Sequence, residues 1–471
     1  MIVRIGIAFL ASLLCHAQTY DLVLRRGRVL DPATRLDAVR DIGIRNGAIA
    51  AISDSPLSGA AIIDASGKIV APGFIDLHAH GQDEENQRYQ VRDGVTTALE
   101  LEIGTLDVAA WYNQREGKRI IHSGVSVGHP PARIRVMNDP STTLVPTGDG
   151  ARKAANPEQI TLMKTHIERG LREGALGVGF GIQYTPAASR EEILEMFKLA
   201  ARFSRPAFVH IRHMGAAAPD ALTALQEVIA NAAVTGAPVH VVHITSSGLA
   251  QTPVLLDTIS LARRRGMDIT TECYPYEAAM TELQSAMFDP GWQNILGITF
   301  DRVEWVATGE RLTPDSFDRY RKLGGMVIMH MIPGPIVEQA VAHPLTMIAS
   351  DGVIEHGKGH PRGAGTFARV LGHFVRERQT LSLLDAVSKM SFQPAQRAGL
   401  AAKGRISRGA DADLVVFDPV RVSDHATFRQ PTLPSEGIDT VLVSGVVVVE
   451  NGRLREGVLP GKAVRMPRTR D

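Results

Sequence analysis

The sequence predicts an α/β chain: a parallel (β/α)8 barrel of the TIM type, carrying a small β-sandwich built from both termini. Three observations lead there. Between about residues 72 and 403, short apolar runs alternate with helical segments, as in a parallel sheet wrapped by helices. The flanking stretches, 18–71 and 404–471, hold short strands punctuated by Asn46-Gly47 and Asn451-Gly452, the dipeptide of tight hairpins. Histidines and carboxylates recur where apolar runs of the central region end, which is where barrel enzymes keep their chemistry.

Composition sets the bounds. The chain has 471 residues, 44% of them hydrophobic and 21% charged, an ordinary globular balance with length enough for a full barrel. Residues 1–17 read as an export signal, with Arg4 as the positive start, Ile5 to Leu14 as the apolar stretch and Ala17 before a cleavage point at Gln18. That run is too short to span a membrane, and no membrane span is expected. The expected location is periplasmic or secreted. The formal net charge is only +1, so nothing points to nucleic acid. Of the 2 cysteines, Cys15 leaves with the signal and Cys273 remains, so no internal disulfide is expected.

In order, Asp21–Leu24, Asp41–Ile44 and Ile49–Ile52 read as strands, and Ala61–Asp64 with Gly67–Val70 as a further hairpin. The barrel follows: strands at Phe74–Leu77, Val95–Glu102, Ile120–Val127, Ala175–Phe180, Ala207–Ile211, Val239–Ile244, Asp268–Tyr274 and Thr346–Ser350. Helices are expected at Thr105–Arg115, Pro157–Glu173, Glu191–Phe203, Pro219–Thr235 and Ser382–Ser391, with another ending near Arg265. Met326–Met331 is a ninth strand candidate for eight places, and about 277–345 reads as an insertion over the barrel mouth. Ala412–Asp418, Thr440–Ser444 and Val446–Val449 complete the terminal β-domain.

The first strand ends in His78-Ala79-His80. Residues i and i+2 of a strand share a face, so the two imidazoles form half of a metal site. His210 and His243 end two later strands, and Asp351 ends the run Met347 to Ser350. Glu100 and Glu102 lie on the second strand, where buried carboxylates need a partner or a metal. Glu102, nearer the strand end, is the favoured ligand, with Glu100 as the alternative. His240, which has the opposite alternation to His243, reads as structural. His122, His129, His166, His213, His330, His343 and His360 have no comparable placement. The set His78, His80, Glu102, His210, His243 and Asp351 suits one or two divalent ions, zinc foremost.

With these residues in place, the chain resembles the amidohydrolase superfamily, a metal-dependent (β/α)8 barrel with a β-sandwich from both termini. Gly73-Phe74-Ile75-Asp76-Leu77-His78-Ala79-His80 resembles its first-strand motif. Gly94-Val95-Thr96-Thr97, Tyr274-Pro275-Tyr276, Ser350-Asp351-Gly352, His360-Pro361-Arg362, Gly365-Thr366-Phe367-Ala368-Arg369-Val370-Leu371 and Ser435-Glu436-Gly437-Ile438 resemble the N-acyl-D-amino-acid deacylases, or D-aminoacylases. That family typically has a metal-binding cysteine at the end of strand two. Leu99-Glu100-Leu101-Glu102 stands there instead, which resembles the D-glutamate deacylase branch. No lysine stands on the fourth strand, so the carbamylated lysine of hydantoinase-like members is not expected.

The resemblance implies hydrolysis of N-acyl-D-amino acids, N-acyl-D-glutamate among them, to a carboxylate and a free D-amino acid. It implies Asp351 as the proton-transferring group, Arg362 as the clamp on the substrate's α-carboxylate and Tyr276 as a further hydroxyl. The expected partner is a small N-acyl amino acid, and oligomer formation is compatible with the family. Two other readings share the fold: hydrolysis of another amide, such as a dipeptide or cyclic imide, and an inactive scaffold. A scaffold has no need of the complete ligand set with Asp351.

Overall fold

The computed structural model describes residues 20–467. The expected signal, residues 1–17, lies outside the described residues. Eight parallel strands follow one another in sequence order: β1 (Phe74–Asp76), β2 (Val95–Thr105), β3 (His122–Gly128), β4 (Val178–Gly181), β5 (Ala207–His210), β6 (Val239–Val241), β7 (Ile269–Cys273) and β8 (Thr346–Ile348). The ring closes between the segments after β1 and β8. Asp351 N–H donates to the His78 carbonyl at 2.7 Å, and His80 N–H to that of Gly352 at 3.0 Å. Ile75, Leu77, Leu99, Leu101, Phe208 and Met347 form one apolar cluster, a meeting of non-adjacent strands that only the barrel interior allows.

The helices between strands carry the expected stop and start chemistry. Pro157–Arg172 opens on an Asn156/Gln159 capping box with Pro157 in its first turn. Arg190–Arg202 is capped by Ser189, and Ala221–Thr235 by Asp220, ending on left-handed Gly236.

Met326–Met329 does not compete for the barrel. It joins Ala279–Glu282, Val303–Trp305 and Glu310–Arg311 in a separate antiparallel sheet of four strands. The strand expected to run to Ile244 ends at Val241, because His243 turns into the left-handed region (φ 30°) and the helix Ile244–Gly248 begins.

Both termini build one sheet of nine strands. Leu414–Phe417 pairs antiparallel with Ile69–Pro72, joining the C-terminal strands to the N-terminal ones around Leu24, Ile42, Ile44, Leu414 and Leu442. Asn46-Gly47 and Asn451-Gly452 make the two expected hairpin turns, all four residues at positive φ. The hairpin expected from Ala61–Asp64 and Gly67–Val70 is absent. Gly59–Asp64 and Ile69–Pro72 both run parallel to Tyr20–Asp31, one after the other along the same edge, so the turn at Gly67 steps along that strand without reversing the chain.

Candidate metal centre and active site

The site lies at the C-terminal ends of the barrel strands, and two of its side chains sit on uncommon backbone. His243 has φ 30° and Asp351 φ 52°, left-handed conformations that non-glycine residues rarely hold outside functional turns. Each turns the chain sharply out of its strand and aims the side chain across the barrel mouth.

Glu102 is the hub. Its Oε2 lies 3.2 Å from Nε2 of both His78 and His80, and its Oε1 lies 2.7 Å from His210 Nδ1 and 3.2 Å from His243 Nε2. Asp351 Oδ1 stands 3.4 Å from His78 Nε2 and 3.3 Å from His80 Nε2. Three overlapping groups each bring three donor atoms within 4.8 Å: His78, His80 and Glu102; His78, His243 and Asp351; Glu102, His210 and His243.

The far nitrogens explain why these imidazoles point inward. His78 Nδ1 meets Glu272 Oε1 at 2.7 Å, and His80 Nδ1 meets Glu100 Oε2 at 2.7 Å. A proton held on Nδ1 leaves the Nε2 lone pair for the site, the arrangement that orients metal-binding histidines. Glu100 also accepts from the N–H groups of Ile103 and Gly104, at 3.3 and 3.2 Å. The two glutamates of β2 thus diverge, Glu102 into the cluster and Glu100 behind His80. Glu272 is itself fixed by His240, whose Nε2 lies 2.9 Å from its Oε2. Sequence reasoning did not reach Glu272, although its alternation with Thr270 on β7 placed it on one face with a neighbouring histidine.

The residues fit a cation. His78 and His80 face each other, Nε2 to Nε2, at 3.1 Å, a repulsive contact for two lone pairs. His210 instead turns its Nδ1 to the cluster, 2.7 Å from Glu102 Oε1. Burial opposes charge on His78, yet the carboxylates of Asp351 and Glu102 hold its pKa well above the ordinary imidazole value. Burial likewise opposes ionisation of Glu102, but His78, His210 and His243 hold its pKa well below the usual carboxylate range. The cluster calls for positive charge at its centre, and imidazole with carboxylate is a donor set for zinc and similar divalent ions.

Arg362 is almost wholly buried, stacks over the Tyr274 ring at 4.6 Å and brings Nη1 to 2.9 Å from Asp351 Oδ2. The contact with Asp351 is close but poorly aligned, and neither Nη1 nor Nε makes a hydrogen bond. Burial would raise the Asp351 pKa, but Arg362 and His78 outweigh it and keep the group ionised. His360, which sequence placement passed over, positions this loop. Its Nδ1 accepts from the Arg362 N–H at 3.0 Å and its Nε2 meets the Ala278 carbonyl at 3.0 Å. Tyr276 packs edge-on to His360 at 5.2 Å and is absent from the lining of the metal cavity, where Tyr184 stands instead. His122 and His129 are buried partners of Asp413 and Glu192.

An amidohydrolase family model matches residues 129–449. The D-aminoacylase of Alcaligenes xylosoxydans xylosoxydans is 31% identical over 92% of this chain and 95% of its own length. The chain belongs to the amidohydrolase family. Within it, this amidohydrolase groups with the D-aminoacylases. The N-acyl-D-glutamate deacylase of Alcaligenes xylosoxydans xylosoxydans is also 31% identical, over 91% of this chain and 93% of that one. Among solved structures, the N-acyl-D-glutamate deacylase of Bordetella bronchiseptica, bound to zinc and a phosphonate inhibitor, superposes with a TM-score of 0.83 at 28% identity. That match covers 95% of this amidohydrolase and 100% of the other chain. A D-aminoacylase described as having a binuclear metal centre superposes equally well, with a TM-score of 0.83 at 28% identity. Among the described residues, no helix of this amidohydrolase is long and apolar enough to cross a membrane.

Proposed function

We propose that this amidohydrolase cleaves the amide bond of N-acyl-D-amino acids, with Asp351 moving the proton and Arg362 binding the substrate carboxylate. The observation that carries the reading is the convergence of His78, His80, Glu102, His210, His243 and Asp351 at one end of the barrel, beside a buried guanidinium with unfilled donors. Relatives that share this fold at 28–31% identity are named for that reaction.

The ligands assigned are His78, His80, Glu102, His210 and His243, with zinc as the ion. A divalent ion held there would act as a Lewis acid and would bring the pKa of water down to roughly 7. The chain's own residues do the rest. Arg362, preorganised on Tyr274 and held by His360, presents its fork to the α-carboxylate and fixes the scissile amide against the cluster. Ionised Asp351 accepts a proton from the attacking water and returns it to the amide nitrogen as the C–N bond breaks. The products are a carboxylate and a D-amino acid. Tyr276 serves by bracing His360 and so the Arg362 loop.

We assign residues 1–17 to export and the mature chain to a periplasmic or secreted location, on the charge and apolar pattern of that segment. The test of function is amine release by the zinc-loaded protein from paired N-acetyl-D- and N-acetyl-L-amino acids. Hydrolysis of the D series, with the L series far behind, is expected. Equal rates on both, or hydrolysis only of cyclic imides, would overturn the assignment.

A further inference from the structure

The metal cavity measures about 40 Å³, and a water needs about 10–15 Å³. It holds the reacting atoms and little more, so the arms of a substrate must leave it. Two routes lead out. One is mainly apolar: Met280, Met326 and Val353 line both the metal cavity and a groove of about 290 Å³ that continues to Trp305 and Val306, with Glu355, His356 and Lys358 also on its lining. The other is polar: Leu144, Glu282, Met326 and Val353 are shared with a cleft of about 1020 Å³ that continues to Thr143, Gln284 and Lys322.

Glu282 stands where the polar route leaves the metal cavity. It is 7% exposed and ends the strand Ala279–Glu282. Its Oε2 accepts from the Thr143 hydroxyl at 2.7 Å and from the Gln284 amide at 2.6 Å. No Lys, Arg or His of the described residues lies within ion-pair distance of it. Arg152 and Arg321, which line the same cleft, both bind Asp289, and Lys322, also on its lining, is exposed. Glu355, exposed where the cleft and the apolar groove meet, adds a second negative charge common to both. A buried carboxylate that borders a cleft gains from a cation brought there by a ligand.

We propose that Glu282 selects N-acyl-D-amino acids whose side chain carries a positive charge, with D-lysine and D-arginine as the preferred residues. This rests on the deacylase reading above. Beyond its α-carboxylate, the substrate has two arms. A simple acyl group is uncharged and suits the apolar groove. The side chain then takes the polar route past Glu282, where an ammonium or guanidinium gains an ion pair and an acidic side chain meets like charge. Selection therefore has an attractive and a repulsive half.

The experiment compares kcat/KM of the zinc-loaded protein on N-acetyl-D-lysine, N-acetyl-D-norleucine and N-acetyl-D-glutamate. Lysine should lead and glutamate trail. Acetylating the side-chain amine, which keeps the stem and removes the charge, should abolish the advantage of lysine over norleucine. Glu282→Gln keeps an acceptor for Thr143 and should cut the lysine-to-norleucine ratio by about tenfold or more. A wild-type preference for glutamate over lysine, or a ratio unmoved in the variant, would overturn the role of Glu282 while leaving the deacylase reading intact. Failure to release amine from any of these compounds would overturn both. The wild-type series alone decides the matter should the variant fold poorly.

Discussion

Oε2 of Glu100 lies 2.7 Å from Nδ1 of His80, on the side of the ring that faces away from the metal cluster. Two residues on, Glu102 faces into it. The pair predicts unequal mutants. Glu102→Gln should lose bound metal and activity together, because one carboxylate contacts all four imidazoles. Glu100→Gln should weaken metal affinity by about 10–100-fold, the usual cost of losing an outer partner of a ligating histidine. Metal content after dialysis separates them; the reverse order would exchange their roles.

Asp351→Asn should retain metal and fold and lose about 10²–10⁴ in turnover, the typical share of positioned proton transfer. Single-turnover rates on metal-matched proteins provide the check. Near-normal turnover would remove Asp351 from the proton path.

Arg362 both neutralises Asp351 and aims free donors at the cavity, so its loss has two effects. The first falls on every substrate; the second only on substrates with an α-carboxylate. Arg362→Ala should therefore cost about 2–5 kcal/mol more on an N-acyl-D-amino acid than on the matching amide. Arg362→Lys should remain impaired on the acid, since a point charge does not reproduce the fork. Equal losses on acid and amide would make Arg362 a support for its loop only.

Much of this site was legible because barrel chemistry collects at strand ends. His78, His80, His210, His243 and Asp351 each close or follow an apolar run, and a period-2 pattern is enough to find them. What escaped depends on distance in sequence. Glu272 is 194 residues from His78, and nothing local in Ile269–Cys273 announces that pairing. His360 gave no strand-end signal because its work is backbone capture in a loop. In the fold, the local turn at Gly67 resembled a hairpin, but the choice of partner was made by Tyr20–Asp31, whose edge takes both flanking strands in parallel. Met326–Met329 had the composition of a barrel strand, and only the pairing with Ala279–Glu282 and Val303–Trp305 removes it from the ring.

Stability at acid pH should depend on an ion pair outside the metal cluster. Arg133 is fully buried and both its Nη1 contacts to Glu192 are 2.6 Å, with His129 2.7 Å from the same carboxylate. Burial would raise the Glu192 pKa, but His129 and Arg133 bring it down to about 2 from the ordinary 4.5. A lowered native pKa means that the unfolded chain binds the proton first. This contribution is therefore whole above pH 4.5 and lost as the pH falls toward 2. Glu192→Ala leaves a buried guanidinium unpaired and should cost about 3–5 kcal/mol at neutral pH. Denaturant melts of both proteins across this range test it: the variant should show a flatter acid limb, and parallel limbs would contradict the assignment.

Hydrolysis is expected to depend on a metal centre formed by Glu102 and the four histidines. The most direct measurement is the activity of chelator-stripped protein on an N-acetyl-D-amino acid during titration with zinc, with bound metal counted at each step. Negligible activity is expected without metal, with recovery that tracks one or two bound ions per chain. Full activity in the stripped protein, or tight zinc binding that survives replacement of both Glu102 and His243 by alanine, would contradict it.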